Sequence, residues 1–279
     1  MTISIHKAVH KIINNNGKTL WMPSNIVGGR FSLQEPNIYD QSAVQLYPLG
    51  TKLEYADGRV FRYAKFGETS LTPPLARILC NANLVPGSAA TNGYEGSLDS
   101  TSDVAVGSTE LVMNDTTDRA ENAYEDGMLA VYPTYSYHEY RICGSEVATT
   151  VDDVTIYLDE GLNELLVVDS TGITAYPSIY SNAQYMPATG YESAIGMYLG
   201  TTMTTAYFAW VQTWGRCIIT PTAYFGDTAN ERLAMMWSDG TIATAASADP
   251  SSGYQILGYL TQKTVSGYGD LEIMLQLGR

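Results

Sequence analysis

Three histidines, three cysteines and 29 acidic residues are the groups from which this 279-residue chain could assemble a catalytic or metal centre. His6 and His10 stand four residues apart on a segment whose pattern predicts a short helix over 5–13, and that spacing can present two imidazoles to one metal. No third histidine or carboxylate stands nearby, so the pair reads as a solvated helix face. His138, in Tyr137-His138-Glu139, reads as an ordinary strand residue. Glycoside hydrolysis needs only two carboxyl groups across a cleft. Asp152-Asp153 and Asp159-Glu160 flank a predicted strand ending at Leu158, and Glu121, Glu125 and Asp126 cluster nearby. Runs of this kind more often solubilise turns. Asn114-Asp115-Thr116-Thr117-Asp118 lacks the glycine and distal glutamate of a calcium loop. Phosphate-binding loops, nucleophile elbows and H-E-x-x-H helices do not occur. Cys80, Cys143 and Cys217 are odd in number and sit among apolar residues, which predicts buried free thiols. The expectation is no catalytic residue, no cofactor and no metal.

The formal charge of −14 repels phosphate backbones, which excludes direct nucleic-acid binding as the expected role. No run of 18 apolar residues predicts a membrane span, and Met1 to Lys7 lacks the apolar core of a signal peptide, so synthesis and retention in the cytoplasm are expected. Twenty-one tyrosines against five phenylalanines is the oddest feature of the composition. Tyrosine combines a flat apolar ring with a polar tip, which suits half-buried strands and contacts between subunits alike.

The elements that must position these groups read as strands. Lys52 to Tyr63 places β-formers on both sides of Asp57-Gly58, a hairpin signature with two open registers. A two-residue loop pairs Tyr55 with Val60, whereas a bulge at Gly58 pairs Leu53 with Phe61 and sets Glu54 against Val60. Residues 110–113, 127–132, 139–142 and 154–158 are short strands at even spacing, as in a small barrel or sandwich. Tyr207 to Trp214 is another, Asp239-Gly240 repeats the hairpin signature, and Leu271, Ile273, Leu275 and Leu277 share one face of a last strand. Pro73-Pro74 predicts a short helix over 75–80, and the Gly/Ser/Asn/Thr-rich 86–102 predicts a loop or domain boundary.

Tyr47-Pro48-Leu49-Gly50-Thr51 followed by Tyr55 to Ala64 resembles the opening of structural proteins that decorate or reinforce the heads of tailed bacteriophages. Ala120 to Leu129, with its N-x-Y-x-D-G turn, and Tyr140-Arg141-Ile142 are similar to the same group's middle, and Tyr207 to Gly215 to its aromatic strand. The resemblance covers most of 46–279 and implies a virion protein on the capsid surface, without catalysis, bound to the major capsid protein and oligomeric.

The expected fold is all-β: small β-barrel or β-sandwich units with an extended N-terminal arm and few short helices. Its parts are an arm over 1–45, a hairpin region over 46–100, a barrel or sandwich over 101–200, and a C-terminal β region over 201–279 packed with 46–100. Trp21, Phe31, Tyr39 and Tyr47 are the candidate assembly contacts. A glycan-binding tail or fibre module is the alternative function.

Overall fold

The computed structural model of the chain describes residues 11–15, 17–22, 36–68, 77–81, 94–97, 103–113, 118, 120–133, 136–147, 154–168, 171–185, 192–221, 232–237, 239–244, 255–262 and 271–279. Every regular element among them is a strand, in antiparallel sheets, as the strand-and-turn composition predicts. The chain divides into two compact units: one contains Gly87–Ser178, and the other is built from Val9–Pro86 with Ile179–Arg279. The boundary at 178 puts 179–200 in the larger unit, where the sequence pattern assigns them to the middle one.

The larger unit opens with β1 (Lys11–Asn15), β2 (Lys18–Met22), β3 (Gln41–Ser42), β4 (Lys52–Tyr55), β5 (Val60–Lys65) and β6 (Ile78–Asn81). The inserted unit holds β7 (Tyr94–Ser97), β8 (Glu110–Met113), β9 (Met128–Tyr132), β10 (His138–Ser145), β11 (Val154–Leu158) and β12 (Gly172–Tyr176). The chain then returns through β13 (Ala183–Tyr185), β14 (Ser193–Tyr198), β15 (Phe208–Ile219), β16 (Leu233–Met236), β17 (Ile242–Thr244), β18 (Ile256–Gln262) and β19 (Leu271–Gln276).

The larger sheet runs β1-β2-β4-β5-β15-β19-β18-β16-β17, and β14, β6 and β13 branch from β15. The twelve-residue β15 explains the branching. Its first half pairs with β5 and β14, and from Trp214 onward it pairs with β19. The change of partner comes at a bulge between Gln212 and Trp214, just before Gly215 at φ 96. Bulges bend strands and re-aim side chains. Before the bulge, Phe208 and Trp210 pack with Tyr47, Leu53, Phe61 and Tyr63, while Ala209 and Val211 face a second cluster with Phe66, Leu79 and Ile195. After it, Cys217 and Ile219 enter a third cluster with Met236, Leu257, Ile273 and Leu275. Each fully buried apolar side chain contributes about 1.5–3 kcal/mol.

The inserted unit uses the same device. Its order is β7-β12-β9-β10-β11-β8, and β10 pairs with β9 through His138–Arg141 but with β11 from Ile142 onward, across a bulge. A strand that changes sheets at a bulge makes the corner of a sandwich. Alternate residues of both half-sheets share one core: Leu129 and Val131 from β9, Ile173 and Ala175 from β12, Val154 and Ile156 from β11, and Leu111 and Met113 from β8.

Several local expectations change. The Asp57-Gly58 hairpin takes the bulged register, with Leu53 opposite Phe61, Glu54 opposite Val60, and Gly58 at φ 86. Residues 11–13 of the expected helix are strand, because β1 pairs with β2, with Asn15 opposite Lys18, and Gly17 turns at φ 74 where a helix stop is expected. Residues 5–10 lie outside the described residues. Within the expected arm, residues 11–15 and 18–22 are thus sheet, with β2 paired to β4, and 41–42 pair with β15. Residues 78–80 are likewise strand, held between β13 and β14 with every side chain buried, an environment no two-turn surface helix offers. Within the glycine-rich 86–102, residues 94–97 pair with β12.

Candidate functional site

The tip of the Asp57-Gly58 hairpin borders an open pocket of about 470 Å³, lined among others by Tyr39, Asp57, Arg59, Arg216, Cys217 and Glu272. The β15 bulge places Arg216 and Cys217 there, and β19 brings Glu272 opposite Ile218. The charges are paired. Arg59 Nε donates to Asp57 Oδ2 at 2.8 Å, and Arg216 Nη2 donates to Glu272 Oε2 at 2.6 Å. Burial opposes ionisation of Asp57, but the Arg59 backbone N–H and guanidinium outweigh it and hold the carboxyl below its ordinary range. Arg216 and the Thr261 hydroxyl do the same for Glu272. Acid catalysis needs a carboxyl that keeps its proton near neutrality, and neither member of this pair meets that need. Burial pushes the Cys217 thiol up to about 12, far from a nucleophilic thiolate.

A second pocket of about 200 Å³ lies over an aromatic cluster and is rimmed by Asn37, Asp40 and Gln41. The Tyr47 ring stands edge-on to Tyr63 at 5.2 Å and tilts against Trp210 at 5.1 Å. Tyr63 stacks on Phe208 at 6.0 Å and accepts the Leu46 N–H at its hydroxyl.

The candidate contacts separate accordingly. Tyr47 is 2% exposed, a core residue that leaves almost no surface to a partner, because it packs with Leu53, Phe61, Tyr63, Phe208 and Trp210. Tyr39 is 58% exposed at the first pocket. Trp21 is 36% exposed on β2, with Lys52 Nζ 5.2 Å from its ring centroid. Phe31 lies outside the described residues.

Of the groups weighed for chemistry, His6, His10, Asp115, Asp152 and Asp153 also lie outside the described residues. His138 Nε2 is 3.0 Å from Glu164 Oε2, the oxygen to which Ser136 Oγ donates at 2.5 Å. Here the carboxylate sits between hydroxyl and imidazole, whereas base activation of a nucleophile places the imidazole between them. Among the described residues no group of three or more His, Cys, Asp or Glu is arranged to hold a metal. The three cysteines are free, with Cys80 and Cys217 buried and Cys143 half-buried. The N-x-Y-x-D-G turn is structural: Asn122 Oδ1 accepts the Ser145 N–H, Tyr124 enters the core, and Asp126 binds Arg141 at 2.6 Å with only 7% of its side chain exposed.

Sequence reasoning missed the outer face of the inserted unit. Opposite the core-facing Leu129 and Val131, β9 presents Met128, Ala130 and Tyr132 outward, beside Gly172, Thr174 and Tyr176 of β12. Ala130 and Thr174 are buried while Met128, Tyr132 and Tyr176 are 40–43% exposed, giving a low floor between raised side chains. Tyr137, 53% exposed, meets Tyr132 at 5.4 Å with a 40° tilt and donates its hydroxyl to Glu139. That hydrogen bond, with smaller contributions from burial and the Glu139, Tyr132 and Tyr176 charges, pushes the Tyr137 phenol up to about 12. The period-two alternation of 128–132 carried the signal, since one phase is aliphatic and the other ends in tyrosine.

No family model, curated protein or solved structure matches the chain.

Proposed function

We propose that the protein is a virion structural component that decorates or cements a tailed-phage capsid by protein–protein contacts, without catalysis, as an oligomer bound to the major capsid protein. The observation that carries this reading is the pair of exposed sheet faces. The inserted unit shows Met128, Tyr132, Tyr137 and Tyr176, and the larger unit shows Ile218, Leu233, Ile256 and Tyr259, all at least 38% exposed. Sheet faces with exposed large apolar and aromatic side chains are the material of interfaces. The resemblance of 46–279 to head-decoration proteins points the same way. Cryo-electron microscopy of the virion tests the reading: density for this chain over the capsid shell is expected, and its absence from particles, or its confinement to the tail tip, overturns it.

Exposed tyrosine rings also favour a second reading, a tail or fibre module that stacks on host glycans. A glycan array on which the protein binds nothing at high concentration counts against it.

A further inference from the structure

The net charge is not spread over the chain. Of the 29 acidic residues, 17 fall within Gly87–Ser178, which has no lysine and only Arg119 and Arg141 as basic residues, a net charge of −15. The rest of the chain has 12 acidic and 13 basic residues, a net charge of +1. The inserted unit therefore carries the whole acidity of the protein. Its one described basic residue on the tyrosine-bearing face, Arg141, is already bound to Asp126 at 2.6 Å.

On that face the Tyr132 side chain lies beside Gly172, whose added Cβ would meet it at 3.8 Å, and Tyr132 is 43% exposed. The Tyr137 ring tilts against it, and the Tyr137 hydroxyl is anchored on Glu139. Aromatic ring faces carry negative charge density, and a cation over a ring with a carboxylate at its edge is attracted by both. Two copies of a body with charge −15 repel each other, which disfavours this face as a contact between copies. Anionic ligands are disfavoured for the same reason.

Resting on the assembly reading above, we propose that the face carrying Tyr132, Tyr137, Tyr176 and Glu139 docks a basic segment of a partner protein, with a lysine or arginine side chain over the tyrosine rings and its charge on Glu139. The acidic body around it draws such a segment in, and the ring–carboxylate cluster fixes where it lands.

Titration of the full chain with an acetylated, amidated tetralysine peptide, followed by calorimetry and by NMR shifts of the tyrosine rings, tests this. Glu139→Gln, Tyr132→Ala and Tyr137→Ala are each expected to weaken binding about threefold to tenfold, the effect of losing one partly exposed cation–ring or cation–carboxylate contact. Glu110→Gln removes another exposed carboxylate of the same unit, on β8, and is expected to change binding less than twofold. Equal losses for Glu139→Gln and Glu110→Gln show diffuse attraction and overturn the proposal, as does failure of the peptide to bind. Binding of maltotriose at the same tyrosines without binding of the peptide overturns it in favour of a saccharide site. The assembly reading is judged separately, by the copy number of the wild-type chain on purified particles. A particle that holds wild type and Glu139→Gln/Tyr132→Ala equally well keeps the assembly reading and refutes this face.

Discussion

Replacing Gly215 with alanine probes the joint on which the larger unit turns. Gly215 sits at φ 96, just past the bulge where β15 leaves β5 for β19. A Cβ there would come 2.9 Å from Arg59 Cα and 3.2 Å from the Gly58 carbonyl oxygen, both backbone atoms of the hairpin tip. Two costs add. Holding an L-residue at this φ costs about 1–2 kcal/mol, and forcing the tip aside costs about 1–3 kcal/mol, as overpacking does. The reduced freedom of the unfolded chain returns about 0.4–1 kcal/mol. The expected net loss is about 1–5 kcal/mol. Gly58→Ala is the matched control: φ is 86, but nothing lies within 4 Å of the added Cβ, so the backbone cost of about 1–2 kcal/mol applies with the same return and no overpacking cost. Urea unfolding of the full chain, followed by tryptophan fluorescence, reads both, and the slope with denaturant should stay constant. The two units can unfold separately, and all four tryptophans lie outside Gly87–Ser178, so fluorescence reports the larger one. If Gly215→Ala costs no more than Gly58→Ala, the close approach of hairpin and bulge is wrong.

Three further outcomes follow from the packing. Tyr47→Ala should cost about 3–5 kcal/mol, as aromatic truncation in a core does, while Tyr39→Ala should stay within about 0.5 kcal/mol; similar losses in urea unfolding would contradict the burial assigned to Tyr47. Asp126→Ala should destabilise the inserted unit by about 2–3 kcal/mol, below the roughly 3–5 kcal/mol of a fully buried pair because Arg141 keeps 29% of its side chain exposed; an unchanged melting transition by calorimetry would refute the role given to the pair. Stability should also fall at alkaline pH. Burial raises Tyr63 and Tyr198 from 10.0, and Cys80 and Cys217 from 9.0, all to about 12. The folded state thus holds these protons more tightly than the unfolded chain, so their contribution is complete below about pH 9 and is lost as pH rises toward 12. A urea midpoint that stays constant between pH 8 and pH 11 would refute it.

Local chemistry was legible without the fold. Asp57-Gly58 and Asp239-Gly240 mark hairpins because few residue pairs turn a chain so tightly, and β16 and β17 do pair across the second. The alternation of Leu271, Ile273 and Leu275 marks a strand with one buried face, and all three are buried. The free thiols were visible for similar reasons. Asn14 to Gly17 was misread because the same residues end helices and turn hairpins, and only the pairing of β2 with β4 selects one. Residues 78–80 were misread because the prolines before them outweighed a three-residue apolar run too short to show a period.

The site depended on more than local chemistry. Tyr39 and Tyr47 are eight residues apart and chemically identical, yet one is 58% exposed and the other 2%. Burial of a tyrosine is decided by what packs across from it, and Phe208 and Trp210 arrive from more than 160 residues away along the chain. The tyrosines of the inserted unit obey the same rule: the alternation of 128–132 determined that Tyr132 and Val131 face opposite ways. Only the pairing of β9 with β10 and β12 decided which side is core and brought Glu139 and Tyr176 to the side that is not.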